Sequence, residues 1–121
     1  MDIKKIEGKL GYTFKKQDLL KEALTHRSYL NENTSWSLQH NERLEFLGDA
    51  VLELVATEEL FNRFPKEKEG WMTSVRAALV NTIMLAKIAD TLGIGDDVLL
   101  SKGEQKDGNG RAREAIRANA V

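Results

Sequence analysis

Three carboxylates in the segment from His40 to Leu52 are spaced to act together: Glu42, Glu45 and Asp49 fall at i, i+3 and i+7. On an α-helix, turning about 100° per residue, their side chains lie within roughly 60° of one another. Glu53, one turn further on, joins the same face. Like charges at helical neighbour spacing repel and destabilise by a few tenths of a kcal/mol per pair. A cluster of hard oxygen donors is what Mg²⁺ or Mn²⁺ requires, so a bound cation would remove that repulsion. Carboxylates holding Mg²⁺ can deliver an activated water and stabilise charge on a phosphodiester as it reacts. The plainer alternative is a solvated acidic face. Two residues argue against it. Phe46 lies about 60° from the centre of the stripe, which places a large aromatic beside charge and suggests a surface covered by a second subunit. Gly48 sits mid-helix at a cost of about 1 kcal/mol relative to Ala, which is accounted for if a partner group approaches closely there.

The element that must position these residues is a long helix from about Asn41 to Phe64, stopped by Pro65, the only proline in the chain. Its other face carries Leu44, Leu47, Val51, Leu54 and Val55, and this stripe predicts a helix anchored in the core. Nearly everything else reads helical too, giving an all-α fold. Ile3, Ile6 and Leu10 mark a first helix ending near Gly11, and Leu19 to Leu24 a second. Asn31 to His40 reads as a polar loop, pinned by Trp36. Lys66 to Gly70 reads as a charged turn, Thr73 as the cap of a helix or helix pair from Ser74 to Leu92, and Gly93 as its end. Lys102 to Gly110 reads as a Gly-rich loop, and Arg111 begins a last helix.

The 121 residues, 41% hydrophobic, fit one domain with a single core. Without cysteine there is no disulfide, thiolate metal site or Cys nucleophile, which agrees with a reducing, cytoplasmic setting. No apolar run approaches the ~20 residues of a membrane span. Net charge is −1, but residues 1–35 carry seven Lys/Arg against five acids, residues 36–100 six against eleven, and residues 101–121 five against three. An acidic middle with weakly basic ends suits a metal-dependent phosphodiester site better than strong autonomous nucleic-acid binding. The two histidines, His26 and His40, make no metal-spacing pair, and no Ser-His-acid order suggests a triad. His26 is read as a hydrogen-bonding structural residue.

The segment around the acidic stripe resembles the signature motif of the ribonuclease III family, the double-strand-specific endoribonucleases. Leu10-Gly11-Tyr12-Thr13-Phe14, Ala23-Leu24-Thr25-His26-Arg27-Ser28-Tyr29, Glu69-Gly70 with Met72-Thr73, Arg76-Ala77-Ala78-Leu79-Val80-Asn81 and Leu100-Ser101-Lys102-Gly103-Glu104 are similar to further motifs of that family, in its order and spacing. The resemblance implies the family's all-α nuclease fold with the long signature helix at a homodimer interface, Phe46 and Gly48 lying in that interface. It implies Mg²⁺-dependent hydrolysis of double-stranded RNA, with Mn²⁺ able to substitute. It makes Glu45 a metal ligand, Asp49 a second ligand assisting catalysis, and Glu42 and Glu69 auxiliary acids, with Arg43 paired to neighbouring acids. It also implies that residues 1–121 form a nuclease domain incomplete at its C-terminal end and without a double-stranded-RNA-binding domain.

The later metal-ligand motif departs from the family pattern. Asn119 stands where Asp is usual; its amide oxygen can still ligate a hard cation, but neutrally and more weakly. Arg117 stands where a core Leu is usual, which predicts looser docking of the last helix. Besides the nuclease, two other readings are a catalytically impaired module of the same fold used for dimerisation or RNA-associated assembly, and a generic helical interaction domain with an acidic face. Metal binding separates the last from the other two, and cleavage of duplex RNA separates the first two.

Overall fold

The computed structural model describes residues 1–106 and 110–121, with only the backbone described at 110–112. Its helices are α1 (Ile3–Leu10), α2 (Gln17–Ala23), α3 (Arg27–Glu32), α4 (Glu42–Arg63), α5 (Glu69–Leu79), α6 (Thr82–Leu92), α7 (Lys102–Lys106) and α8 (Gly110–Ala120), with a 3₁₀ turn at Gly95–Asp97. Among the described residues the one β feature is an isolated parallel bridge between Thr25 and Leu99. Helix ends follow local chemistry. The Asp2 carboxylate accepts from Lys5 N at 3.1 Å and caps α1. Gly11 (φ 65°) and Gly93 (φ 71°) end α1 and α6 in the left-handed region that favours glycine. Lys9 Nζ donates to Gly93 O and to Asp97, each at 2.7 Å, placing a cation at the C-terminus of α6.

The core forms from Ile6 of α1, Leu20 and Leu24 at α2, Val98 and Ile116 of α8. The α6–α8 crossing is lined by small buried residues, Ala86, Ala89 and Ala118, which let the two backbones approach closely. Arg117 stands at this crossing with its Nε buried and 3.1 Å from Asp90 Oδ1 of α6, so an ion pair meets its charge there.

Asn41 sets where α4 begins. It is 3% exposed; its N–H donates to Thr25 O at 2.9 Å and its side-chain amide donates to Ala23 O at 3.2 Å. The start of the acidic helix is thus tied to the end of α2. Truncation in Asn41→Ala removes the buried amide that ties α4 to the partly buried Ala23 carbonyl, at a cost of about 1 kcal/mol or more. Urea denaturation is expected to show that loss; an unchanged midpoint would mean the tie does not hold α4.

Three expectations are corrected. The stripe Leu47, Val51, Leu54 and Val55 is exposed, and Leu60 is the only α4 residue fully buried among those described. Periodicity identifies an apolar face but does not say whether the core or another surface covers it. α5 begins at Glu69, not near Ser74, so Thr73 lies inside the helix and the charged turn is shorter than Lys66–Gly70. α5 and α6 are separate, broken at Val80–Asn81. The expected loop Lys102–Gly110 opens with α7, and its residues 107–109 lie outside the described residues. The six-residue α3 carried no periodic signal of its own.

Candidate active site

Glu45 and Asp49 of α4 and Asn119 of α8 line one cleft of about 520 Å³. Asn41 and Asn81 add polar groups to its walls; Leu44, Val51 and Val55 add apolar ones. The i, i+4 spacing of Glu45 and Asp49 puts both carboxylates on the α4 wall, and the α6–α8 pairing brings Asn119 to the same cleft. Gly48 lines the cleft as well, and a Cβ built there meets no heavy atom within 4 Å. Within one chain, then, nothing makes the close approach expected at Gly48.

The acidic stripe is divided by two arginines. Arg27 of α3 lies 3.6 Å from Glu42, and Arg76 of α5 lies 3.5 Å from Glu53. Arg76 also donates to Thr57 Oγ1 at 2.8 Å. Glu45 and Asp49, between them, make no ion pair among the described residues. Arg43 makes none either, so the neighbouring acids are partnered by Arg27 and Arg76 instead. Partial burial, and after it the Glu42 and Asp49 carboxylates, holds the Glu45 carboxyl above its ordinary range.

The sign of that shift gives a stability prediction. A carboxyl with a higher pKa folded than unfolded binds more protons in the folded state, so stability falls as pH rises from the unfolded value through the folded one. Glu45→Gln removes the charge and is expected to be more stable than the parent near pH 7 without divalent cations. The advantage should vanish below the ordinary Glu pKa of about 4.3. Urea midpoints at neutral and acidic pH check this; a destabilised Glu45→Gln at neutral pH would contradict it.

The donor set suits a hard divalent cation: two carboxylates and an amide oxygen, with charge repulsion that a cation relieves. Among the described residues no three Asp, Glu, His or Cys side chains converge on one point; the further oxygen that lines the cleft from α8 belongs to Asn119. Glu42 is not in the lining of this cleft. Glu69 lines a different cavity of about 230 Å³, with Thr57, Phe61 and Arg76, and a single chain does not bring it to Glu45 and Asp49. Phe46 points away from the core, 84% exposed.

His26 is structural, as expected. Its Nδ1 accepts from Ser28 N at 3.2 Å and lies 2.7 Å from Ser28 Oγ. Ser28 Oγ accepts from Ser101 N at 3.0 Å, so its own proton goes to His26. Burial is the main cause holding the imidazole below its usual pKa. Together with Glu32, which accepts from Lys102 N at 3.0 Å, this ties α3 to the start of α7. Sequence reading missed Asn41 and Asn81. The Asn81 side chain accepts from Met84 N and donates to Ala77 O and Ala78 O, each at 3.0 Å, closing α5 and opening α6. An Asn between two apolar helical runs is an N-cap signal that could have found it.

A model of the ribonuclease-III-like family matches residues 16–121. Ribonuclease 3 of Geobacillus kaustophilus is 48% identical over 114 residues, covering 94% of this chain and 46% of that protein. Ribonuclease 3 of Azotobacter vinelandii is 50% identical over 119 residues, covering 98% of this chain and 48% of that one. The chain therefore spans about half the length of these relatives. The nuclease domain of ribonuclease III from Campylobacter jejuni aligns with a TM-score of 0.84 at 46% identity, over 98% of this chain and 76% of that chain. A second structure of that domain, characterised for flexibility in a region involved in dimer formation, gives 0.83 at 44% identity, over 98% and 80%.

Proposed function

This chain belongs to the ribonuclease-III-like family, and from that membership we propose that it is the nuclease domain of an endoribonuclease that hydrolyses double-stranded RNA with Mg²⁺, as a cytoplasmic homodimer. The observation that carries the reading is the convergence of Glu45, Asp49 and Asn119 from two helices on one cleft. A divalent cation bound there would supply Lewis acidity and make a bound water more acidic than bulk water. The chain's own residues do the rest. Glu45 and Asp49 would hold the cation, with Asp49 placed to orient a water, and Asn119 would offer a neutral oxygen from α8. The fixed spacing on α4 keeps both carboxylates in place before substrate arrives, so little reorganisation is needed during reaction. An A-form duplex hides its base edges, so recognition falls on backbone shape, phosphates and 2′-hydroxyls.

The test is incubation of the protein with a fully paired RNA duplex and with its separated single strand, in Mg²⁺ and in excess chelator. Cleavage of the duplex alone, and only in Mg²⁺, is expected. Asn119 favours a second reading, a catalytically impaired module used for dimerisation or assembly, because its amide gives the cation less charge than a carboxylate. Asn119→Asp adds one negative charge at the cleft and is expected to tighten Mn²⁺ binding by roughly tenfold. A parent that leaves the duplex intact while Asn119→Asp cleaves it would support the impaired module; no cleavage by either would count against the nuclease reading.

A further inference from the structure

On the reading of the Glu45–Asp49 cleft as a cation site, we propose that Arg76 is a positioning residue that confines cation binding to Glu45 and Asp49 by holding Glu53 out of it. Glu53 stands four residues after Asp49, the same spacing that joins Glu45 to Asp49. Asp49 could therefore share a cation with either neighbour: with Glu45, toward the cleft that holds Asn119, or with Glu53, one turn away from it. Asp49, Glu53, Arg76 and Thr73 line a common cavity of about 270 Å³ beside the main cleft. Arg76 occupies the position that decides between these pairs. Its guanidinium lies 3.5 Å from Glu53 and donates to Thr57 Oγ1 at 2.8 Å. The Arg76 side chain is 30% exposed, against 71% for Arg27 at the other end of the stripe. Arg27 is thus a screened surface partner of little weight, whereas Arg76 is held by its hydrogen bond to Thr57 as well as by the ion pair, and is less exposed. Arginine suits both contacts because its donors lie in a rigid planar fork, so the group that meets Glu53 is fixed by the one that binds Thr57.

The experiment is Mn²⁺ titration by calorimetry, paired with single-turnover cleavage of an RNA duplex, on the parent, Arg76→Gln, Glu53→Gln, the double variant and Glu45→Ala. Arg76→Gln frees Glu53 to compete for the cation at Asp49. Mn²⁺ binding is expected to tighten by about threefold while cleavage slows, because the cation is drawn away from Asn119. Glu53→Gln frees the guanidinium toward Asp49, and Mn²⁺ binding is expected to weaken by about threefold. The double variant should return both quantities close to the parent's. A merely structural Arg76 would give a double variant as impaired as Arg76→Gln, and a charge acting only at a distance would leave cleavage by Arg76→Gln unslowed; either result overturns the proposal. If Arg76→Gln does not fold, unchanged Mn²⁺ affinity in Glu53→Gln, whose site is exposed, overturns it alone. Mn²⁺ binding that survives Glu45→Ala would sink the cation site and this proposal with it. Binding lost in Glu45→Ala but indifferent to Arg76 and Glu53 would sink this proposal only.

Discussion

Asp49→Asn is expected to slow single-turnover cleavage of an RNA duplex by on the order of 10²–10³-fold, the usual effect of removing one preorganised electrostatic group from a reacting centre. The substitution keeps the shape of the side chain and removes its charge, so α4 and the cleft should survive it. Asp49 is solvent-accessible on the α4 surface, and removing a charge that repels Glu45 does not threaten folding. Glu45→Ala is expected to lose as much, because it removes the other carboxylate of the pair. Asn119→Ala should lose less, since it withdraws a neutral donor. Stopped or quenched-flow assays at saturating Mg²⁺ check the ranking. If raising Mg²⁺ rescues Glu45→Ala fully but not Asp49→Asn, Glu45 acts through cation affinity and Asp49 through the chemical step. Equal rates in parent and Asp49→Asn would show that the catalytic residues lie elsewhere.

Phe46→Ala is expected to weaken self-association by at least ~2 kcal/mol, or roughly 30-fold in dimer Kd. α4 is 22 residues long, and Leu60 is its one fully buried residue among those described. Phe46 is 84% exposed, Leu54 65% and Phe61 69%. At about 100° per residue these three fall within roughly 80° of one another, with Leu54 adjoining the Val51 and Val55 stripe. A twofold axis across such a face uses each residue twice, so one truncation removes two anchors. The apolar area left uncovered by one chain is what a partner helix would bury. Sedimentation equilibrium of parent and variant reads the change directly. A parent that stays monomeric at high micromolar concentration, or a Phe46→Ala dimer of unchanged Kd, would contradict the proposed interface.

Much of this site was legible in the sequence because helical geometry is regular. The i, i+3, i+7 spacing of Glu42, Glu45 and Asp49 needed only one helix to be right, and Pro65 and Gly93 stop α4 and α6 where their chemistry requires. Phe46 stood out because an aromatic beside a carboxylate stripe has no business in a simple amphipathic pattern. What the sequence hid was tertiary. The stripe Leu47, Val51, Leu54 and Val55 has the periodicity of a core face, and a core and an interface give the same period. Arg76 lies in an apolar run, and nothing local pairs it with Glu53 across two helices. Arg117 looked misplaced because its position alone suggested burial; the Asp90 carboxylate that receives it lies 27 residues earlier in the chain. Asn41 marked only the approximate start of the long helix, and nothing local in the sequence shows that its side chain reaches back to Ala23. Glu69 carried the motif but lines another cavity, because α5 begins there and turns it away from Glu45 and Asp49 within one chain.

The most direct measurement is water-proton relaxation enhancement by Mn²⁺ in solutions of the parent and of Glu45→Ala. A cation seated between the α4 carboxylates should give strong enhancement in the parent, displaced by excess Mg²⁺, and little in the variant. The same enhancement in both proteins would show that the cation, if it binds, does not bind at Glu45.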